Sequence, residues 1–166
     1  MPGMSYIVMA PGTNWRSKCW PAAYYADLAG ALTKKYQQPV ILIGGQQDQE
    51  RAQVIQANTA ACIVNLIGKT NLKQLAGVLQ RSNLFIGGDT GPMHLAAAMG
   101  TRVVALFGPS DAQRNGPFGD EHVVIRKNLN CSPCFKRDCP DVQCMEQITA
   151  ADVMDLIEQR KLLADF

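Results

Sequence analysis

The sequence has little of the positive charge that marks a nucleic-acid-binding protein. Its 16 Lys and Arg residues are nearly balanced by 14 Asp and Glu residues, which leaves a net charge of +2. A nucleic-acid backbone requires a strongly basic patch or stripe, and the sequence has no such stripe. We therefore expect no nucleic-acid partner.

Long apolar runs and a signal peptide are also missing. The longest apolar runs, such as residues 40–43 and 103–107, are far too short to span a bilayer. The N-terminus has neither the basic region nor the apolar region of a secretory signal. These absences predict a cytoplasmic protein, in which the six cysteines are not expected to form a disulfide framework.

The composition is that of one globular domain. Of the 166 residues, 47% are apolar and 18% are charged, which supplies enough apolar side chains for a sizeable core. A strand-like run starts at Tyr6, directly after residues 1–4. We interpret those first residues as the remains of a linker in a longer chain and place the domain at residues 5–166.

Short β-rich runs alternate with longer stretches of helical spacing, which is typical of βαβ units and a parallel sheet. The alternation predicts a Rossmann-like, doubly wound α/β domain. Such domains bind ligands in a crevice at the carboxyl ends of their strands. The predicted strands are residues 6–9, 40–43, 63–67, 84–86, 103–107 and 122–125, and the predicted helices are residues 21–36, 48–57, 72–80, 92–99 and 150–163.

A Gly-rich loop, residues 87–94, joins the fourth strand to a helix with the sequence Gly-Gly-Asp-Thr-Gly-Pro-Met-His. Backbone N–H groups and the positive end of the helix dipole favour a phosphate at such a place. The Asp89 carboxylate suits hydrogen bonds from sugar hydroxyls or backbone amides. The loop alone also fits an ordinary helix cap with a partly buried His94, since it has neither the dinucleotide fingerprint nor the P-loop pattern.

A longer run, residues 85–111, resembles the signature of glycosyltransferase family 9, the ADP-heptose:lipopolysaccharide heptosyltransferases. Three more segments agree with the family in the same order. They are residues 10–21 (Ala-Pro-Gly-Thr-Asn-Trp-Arg-Ser-Lys-Cys-Trp-Pro), residues 44–50, and residues 65–72 (Asn-Leu-Ile-Gly-Lys-Thr-Asn-Leu). The resemblance covers nearly the whole chain, but only the C-terminal half of the family.

The resemblance implies the C-terminal, donor-binding half of a two-domain GT-B enzyme. Such enzymes transfer heptose with inversion from ADP-heptose to the inner core of lipopolysaccharide, at the cytoplasmic face of the inner membrane. The N-terminal half, which supplies the acceptor site and the catalytic carboxylate, is absent from this sequence, so we expect the domain to be inactive alone. No DxD motif is present, and no cofactor is expected for catalysis.

The resemblance also implies roles for residues near the first strand. Thr13 and Lys18 are expected to contact the diphosphate, because the Lys ammonium acts as a point charge for its oxygens. Asp48, at a position where the family often has glutamate, is expected to accept hydrogen bonds from the adenosine ribose. Trp15 and Trp20 flank Lys18, and either one stacks on the nucleotide or closes the edge of the domain.

The Gly-rich loop supplies the rest of the implied donor site. Thr90 and Gly91 are expected to bind phosphate, and Asp89 and His94 to hold the phosphate or heptose side of the donor. None of these residues suits the role of general base for the attacking hydroxyl. His94 fits better as a group that stabilises charge on the departing diphosphate.

Four cysteines form a cluster in a Cys loop, residues 131–144. Cys131, Cys134, Cys139 and Cys144 have a spacing that fits a structural zinc site, reduced thiols or, least well in a cytosolic protein, disulfides. Lysines and arginines in and before this loop make it basic. Such a loop is either an ordinary solvent-exposed face or a surface that contacts acidic phospholipid or the phosphorylated acceptor.

Two other functions remain open from the sequence. A non-catalytic nucleotide-sugar-binding module would bind the donor equally well but gain no activity from an acceptor domain. A glycosyltransferase with a UDP-linked donor would prefer uracil to adenine. The sequence does not distinguish these alternatives by itself.

Overall fold

The computed structural model describes residues 5–164, so the linker predicted at residues 1–4 lies outside it. Six parallel strands form one sheet in the order β3-β2-β1-β4-β5-β6. This order reverses direction between β1 and β4, as in a doubly wound domain. The strands are β1 (Ile7–Ala10), β2 (Val40–Leu42), β3 (Ile63–Asn65), β4 (Leu84–Gly88), β5 (Val103–Phe107) and β6 (Val123–Arg126).

Helices connect the strands and cover both faces of the sheet. They are α1 (Ala22–Tyr36), α2 (Gln49–Ala57), α3 (Leu72–Gln80), α4 (Gly91–Ala98), α5 (Ala112–Asn115), α6 (Gln143–Glu146) and α7 (Ala150–Gln159). Reciprocal capping boxes begin two of them. Asn71 and Gln74 exchange two side-chain to backbone hydrogen bonds of 2.9 Å at the start of α3. Thr149 and Asp152 exchange two such bonds, of 2.8 and 3.1 Å, at the start of α7.

The apolar core lies in two layers, one on each face of the sheet. Ile7 and Met9 of β1 belong to the layer under α1 and α7, whereas Val8 and Ala10 face the layer under α3 and α4. Side chains alternate between the two faces of a strand, so a strand covered on both sides is apolar throughout. All four residues of β1 are buried, and β1 lies in the interior of the sheet between β2 and β4.

The structure confirms the predicted fold and corrects several element ends. The strand predicted at residues 84–86 continues to Gly88, because Gly87 and Gly88 pair with β5. The helix predicted at residues 150–163 ends at Gln159, and the chain turns back with Lys161 at a φ of 49°. The short helices α5 and α6 were not predicted, since four residues are too few to show a period. Within residues 5–164, no helix is long and apolar enough to cross a membrane.

Candidate functional site

A cleft of about 480 Å³ opens at the point where the strand order reverses. The ends of β1 and β4 are paired through Ala10 and Gly87, so the loops that follow these strands are neighbours. The loop after β2 closes a third side. All seven residues predicted for the donor site line this cleft, namely Thr13, Lys18, Asp48, Asp89, Thr90, Gly91 and His94.

An ion pair joins the two main loops of the cleft. Lys18 Nζ, from the first loop (residues 11–21), lies 2.6 Å from Oδ2 of Asp89 in the Gly-rich loop. The two side chains are only 12% and 9% exposed, so their attraction is weakly screened by water. The same Asp89 oxygen accepts a hydrogen bond of 3.2 Å from Asn115 Nδ2 in α5. Sequence reasoning missed Asn115, which lies 26 residues away in a helix it did not predict.

Asp89 is held as a carboxylate. Burial raises its pKa, but hydrogen bonds from Lys18 and Asn115, the nearby Ser110 hydroxyl and the Lys18 charge outweigh this effect, so the pKa of Asp89 lies below its ordinary value. Ser110 Oγ is buried and makes no hydrogen bond of normal geometry to any described residue. The cleft thus contains a fixed negative charge beside a fixed positive one.

The N-terminus of α4 faces the cleft with Thr90, Gly91, Pro92 and His94. Thr90 occupies the N-cap position, but its hydroxyl contacts the Gly88 carbonyl oxygen at 3.3 Å and does not cap the helix. Pro92 has no backbone N–H, and the amide of Gly91 has no acceptor within the helix. His94 is half exposed, with Nε2 3.9 Å from Oδ1 of Asp89. This end of the helix is suited to an anion.

The first loop is internally bonded around Thr13. Thr13 Oγ1 donates to the Trp15 carbonyl oxygen at 2.6 Å and accepts from the Trp15 amide at 3.1 Å. Lys18 Nζ lies 4.0 Å from the centre of the Trp15 ring. Trp15 therefore lines the cleft, whereas Trp20 is buried in the core and donates from Nε1 to the Ile148 carbonyl oxygen at 2.6 Å.

Asp48 closes the other end of the cleft. Its Oδ2 accepts a 2.9 Å hydrogen bond from the Gly45 amide, and its carboxylate packs against Gly12 and Gly44, where a Cβ atom would collide with it. Burial raises the pKa of Asp48, and the Gly45 amide and the Arg51 charge oppose that rise. The glycines of two loops are therefore required for the carboxylate to fit.

The Cys loop braces the first loop and the loop after β5. The Ser17 hydroxyl donates to the Lys136 carbonyl oxygen at 2.6 Å, and the Cys134 and Phe135 amides donate to the Pro109 carbonyl oxygen at 2.9 and 2.8 Å. Two basic side chains of this region contact other residues of the chain. The Arg137 guanidinium lies 5.3 Å from the Trp15 ring centre, and Lys127 pairs with Asp152 at 3.0 Å.

The four cysteines of the Cys loop are free thiols in this structure. Cys131 is exposed, Cys134 and Cys139 are half-buried, and Cys144 is buried against Gly108. In the described part of the chain, no three or more His, Cys, Asp or Glu side chains are arranged to hold a metal ion. The structure does not support disulfides among these residues.

A profile of glycosyltransferase family 9 (heptosyltransferase) matches residues 2–144. The chain belongs to glycosyltransferase family 9. This result confirms the family indicated by residues 85–111.

Relatives of the family 9 chain are heptosyltransferases. Lipopolysaccharide heptosyltransferase 1 of Pseudomonas aeruginosa is 32% identical over 138 residues, which cover 83% of this chain and 38% of that enzyme. The structure of Escherichia coli ADP-heptose lipopolysaccharide heptosyltransferase II is 28% identical with a TM-score of 0.80, covering 98% of this chain and 48% of that one. E. coli heptosyltransferase WaaC with ADP is 26% identical with a TM-score of 0.79, covering 95% and 44%.

The family 9 chain spans less than half the length of each of these three proteins and corresponds to the C-terminal part. The structural matches confirm a Rossmann-like domain of the kind found in GT-B heptosyltransferases.

Proposed function

We propose that this chain is the donor-binding domain of an inverting heptosyltransferase, which transfers heptose from ADP-heptose to the inner core of lipopolysaccharide. The observation that carries the proposal is the convergence of Lys18, Asp89 and the N-terminus of α4 in one cleft at the switch point of the sheet. The E. coli relatives described as an ADP-heptose enzyme and as an ADP complex favour an ADP-linked donor.

The diphosphate belongs at the N-terminus of α4. The Gly91 amide, which has no acceptor within the helix, and the helix dipole favour an anion there, and Lys18 brings a positive charge to the same place. Thr13 supports this end of the cleft, chiefly by shaping the first loop, since its hydroxyl is bonded to Trp15 and lies 3.8 Å from Cys19 Sγ, both within that loop. Thr90 and His94 complete the phosphate contacts.

The nucleoside belongs at the Asp48 end. Asp48 Oδ2 is occupied by the Gly45 amide, which leaves Oδ1 to accept hydrogen bonds from the ribose hydroxyls. Asp89 lies beside Lys18 and His94 at the diphosphate end, where it accepts hydrogen bonds from the heptose while it orients Lys18. The sugar, diphosphate and ribose thus follow one line across the cleft.

The transfer is an in-line displacement. The acceptor hydroxyl oxygen bonds to the anomeric carbon, the bond from that carbon to the diphosphate oxygen breaks, and ADP leaves with the electron pair. The hydroxyl proton must pass to a base, but Asp89 is paired with Lys18, and Asp48 is assigned to the nucleoside end, away from the anomeric carbon. We assign the base to a separate acceptor domain and expect this chain to be inactive alone. His94 stabilises the charge that develops on the diphosphate.

A hybrid enzyme tests this assignment. The chain replaces the corresponding C-terminal part of E. coli heptosyltransferase II, and release of ADP is measured with ADP-heptose and heptose-deficient lipopolysaccharide. Heptose transfer by the hybrid, and none by the chain alone, is expected. A hybrid that binds ADP-heptose but never transfers heptose would favour the non-catalytic binding module, and transfer only from a UDP-linked sugar would favour the alternative donor.

We expect the transfer to need no cofactor, at the cytoplasmic face of the inner membrane with peripheral contact to it. A structural zinc ion held by Cys131, Cys134, Cys139 and Cys144 stays a prediction. Metal analysis of the purified chain, with its melting temperature measured before and after a zinc chelator, tests that prediction separately from the reaction.

A further inference from the structure

Arg51, in the first turn of α2, is bonded to both ends of the first loop. Its Nε donates to the Pro11 carbonyl oxygen at 2.9 Å, and one of its terminal nitrogens donates to the Trp20 carbonyl oxygen. The guanidinium is a planar group with several donors in a fixed fork, so it holds two acceptors at a set separation. Arg51 therefore fixes the distance between the two ends of the loop.

The loop between those two carbonyls carries Thr13, Trp15 and Lys18, which all line the cleft. Two of its turns are closed by backbone hydrogen bonds, from the Lys18 amide to Trp15 at 3.0 Å and from the Cys19 amide to Arg16 at 3.1 Å. The Cys loop holds the middle of this loop through Ser17, whose hydroxyl and amide donate to the Lys136 and Arg137 carbonyl oxygens, and Trp20 anchors the end of the loop in the core. Arg51 adds the two hydrogen bonds that set the separation of the loop ends, and this separation helps to determine where Lys18 lies.

Arg51 also lies beside the opposite end of the cleft. It follows Asp48 by three residues at the start of α2, and its charge acts on the Asp48 carboxylate. The Arg51 side chain does not line the cleft itself but a second cavity of about 700 Å³ behind the first loop. It can therefore influence a ligand only through the groups that it holds.

We propose that Arg51 is a positioning residue for the donor, which sets the span of the first loop so that Lys18 meets the diphosphate while Asp48 meets the ribose. This inference rests on the proposed function for the identity of the ligand. The fixing of the loop by Arg51 does not depend on it.

Three variants test the proposal. Arg51→Ala removes both hydrogen bonds, and Arg51→Lys keeps the charge but loses the fork. Arg102→Ala is the matched control, because Arg102 Nη1 donates to the Leu162 carbonyl oxygen at 3.2 Å outside both the cleft and the second cavity. The readouts are hydrogen exchange of the Lys18 and Cys19 amides without ligand, and the Kd for ADP.

Arg51→Ala is expected to speed exchange of the two amides about tenfold and to raise the Kd for ADP about tenfold, since two hydrogen bonds are lost. Arg51→Lys is expected to fall between it and the parent chain. Arg102→Ala should change neither quantity. Ethylguanidinium, which the second cavity has room for, should restore slow exchange and ADP binding to Arg51→Ala, a recovery that general destabilisation would not show.

Unchanged exchange in Arg51→Ala would overturn the proposal, as would a Kd that stays at the parent value although exchange rises. The two proposals fail separately. If the parent chain binds no ADP, the proposed function fails, and the exchange rates with their rescue still decide whether Arg51 fixes the loop.

Discussion

Lys18 Nζ lies 2.6 Å from Asp89 Oδ2, although the two residues are 71 positions apart in the chain. The pair connects the loop after β1 to the loop after β4 across the switch point of the sheet. Both side chains are largely shielded from water, so removing one partner leaves the other charge poorly compensated. The pair therefore stabilises the contact between the two loops. It also fixes the position of the Lys18 charge that a bound diphosphate would contact.

Replacing Asp89 should abolish binding of the donor in the cleft. Asp89→Ala removes the group that orients Lys18 and the acceptor for heptose hydroxyls, so we expect loss of ADP-heptose binding and a cost of about 2 kcal/mol in unfolding free energy. Calorimetric titration and urea unfolding measure the two effects. Asp27→Ala, at an exposed position in α1, is the control and should alter neither. Retained ADP-heptose affinity in Asp89→Ala would refute the role of this carboxylate.

The two cleft carboxylates should give opposite pH dependences of stability. The pKa of Asp89 is lowered on folding, so its contribution is present above the ordinary value of 3.8 and is lost as the pH falls through the lower, folded pKa. The pKa of Asp48 is raised, so its contribution is present below 3.8 and is lost as the pH rises through the higher, folded pKa.

Urea unfolding of Asp89→Asn and Asp48→Asn across this range measures both contributions. Relative to the parent chain, Asp89→Asn should be most destabilised at neutral pH, with a deficit that shrinks in acid. For Asp48→Asn, the free energy of unfolding relative to that of the parent chain should be highest at neutral pH and lowest in acid. Parallel pH profiles for the two variants would contradict this assignment.

Two glycines of the cleft should respond differently to alanine. A Cβ on Gly12 would overlap the Asp48 carboxylate, so Gly12→Ala should displace Asp48 and destabilise the chain by about 1–3 kcal/mol. A Cβ on Gly91 meets no atom within 4 Å, so Gly91→Ala should leave stability unchanged but weaken ADP binding, because the methyl group occupies space that the diphosphate needs. Gly77→Ala, an open helical position outside the cleft, is the control. Equal ADP affinity in Gly91→Ala and Gly77→Ala would exclude a close approach of phosphate to Gly91.

The two tryptophans should report on different parts of the molecule. Trp15 lines the cleft, so Trp20→Phe should keep the change in tryptophan fluorescence on ADP binding, whereas Trp15→Phe should lose it. Trp20 is buried and its indole is bonded to the Ile148 carbonyl oxygen, so Trp20→Phe should cost about 1–2 kcal/mol in unfolding free energy. A fluorescence response that survives in Trp15→Phe would place the nucleotide away from the first loop.

Much of the fold could be predicted because the local apolar pattern of each segment matches the element that it forms in the sheet or against it. The continuous apolar run at residues 103–107 is a strand covered on both faces, and the predicted bounds are those observed. The end of α7 could not be predicted from the apolar pattern. Leu162 and Leu163 are buried although they lie beyond the last residue of the helix, so in the sequence they look like a continuation of its apolar face.

The site was only partly accessible from sequence. The strand-end rule and the family resemblance indicated Lys18 and Asp89 as site residues, but not that they pair with each other. Asn115 and Arg51 carry no local signal, since each acts on a partner brought near by tertiary folding. The hydrogen bond of the Thr90 hydroxyl could not be predicted either. Its position favours an N-cap, but the hydroxyl donates to the Gly88 carbonyl oxygen instead.

Calorimetric titration of this chain with ADP, UDP and ADP-heptose tests whether the cleft binds an ADP-heptose donor. We expect ADP to bind, ADP-heptose to bind more tightly because the sugar adds contacts with Asp89, and UDP not to compete. Binding of UDP in preference to ADP, or no binding of any of the three, would contradict the assignment of this cleft to an ADP-heptose donor.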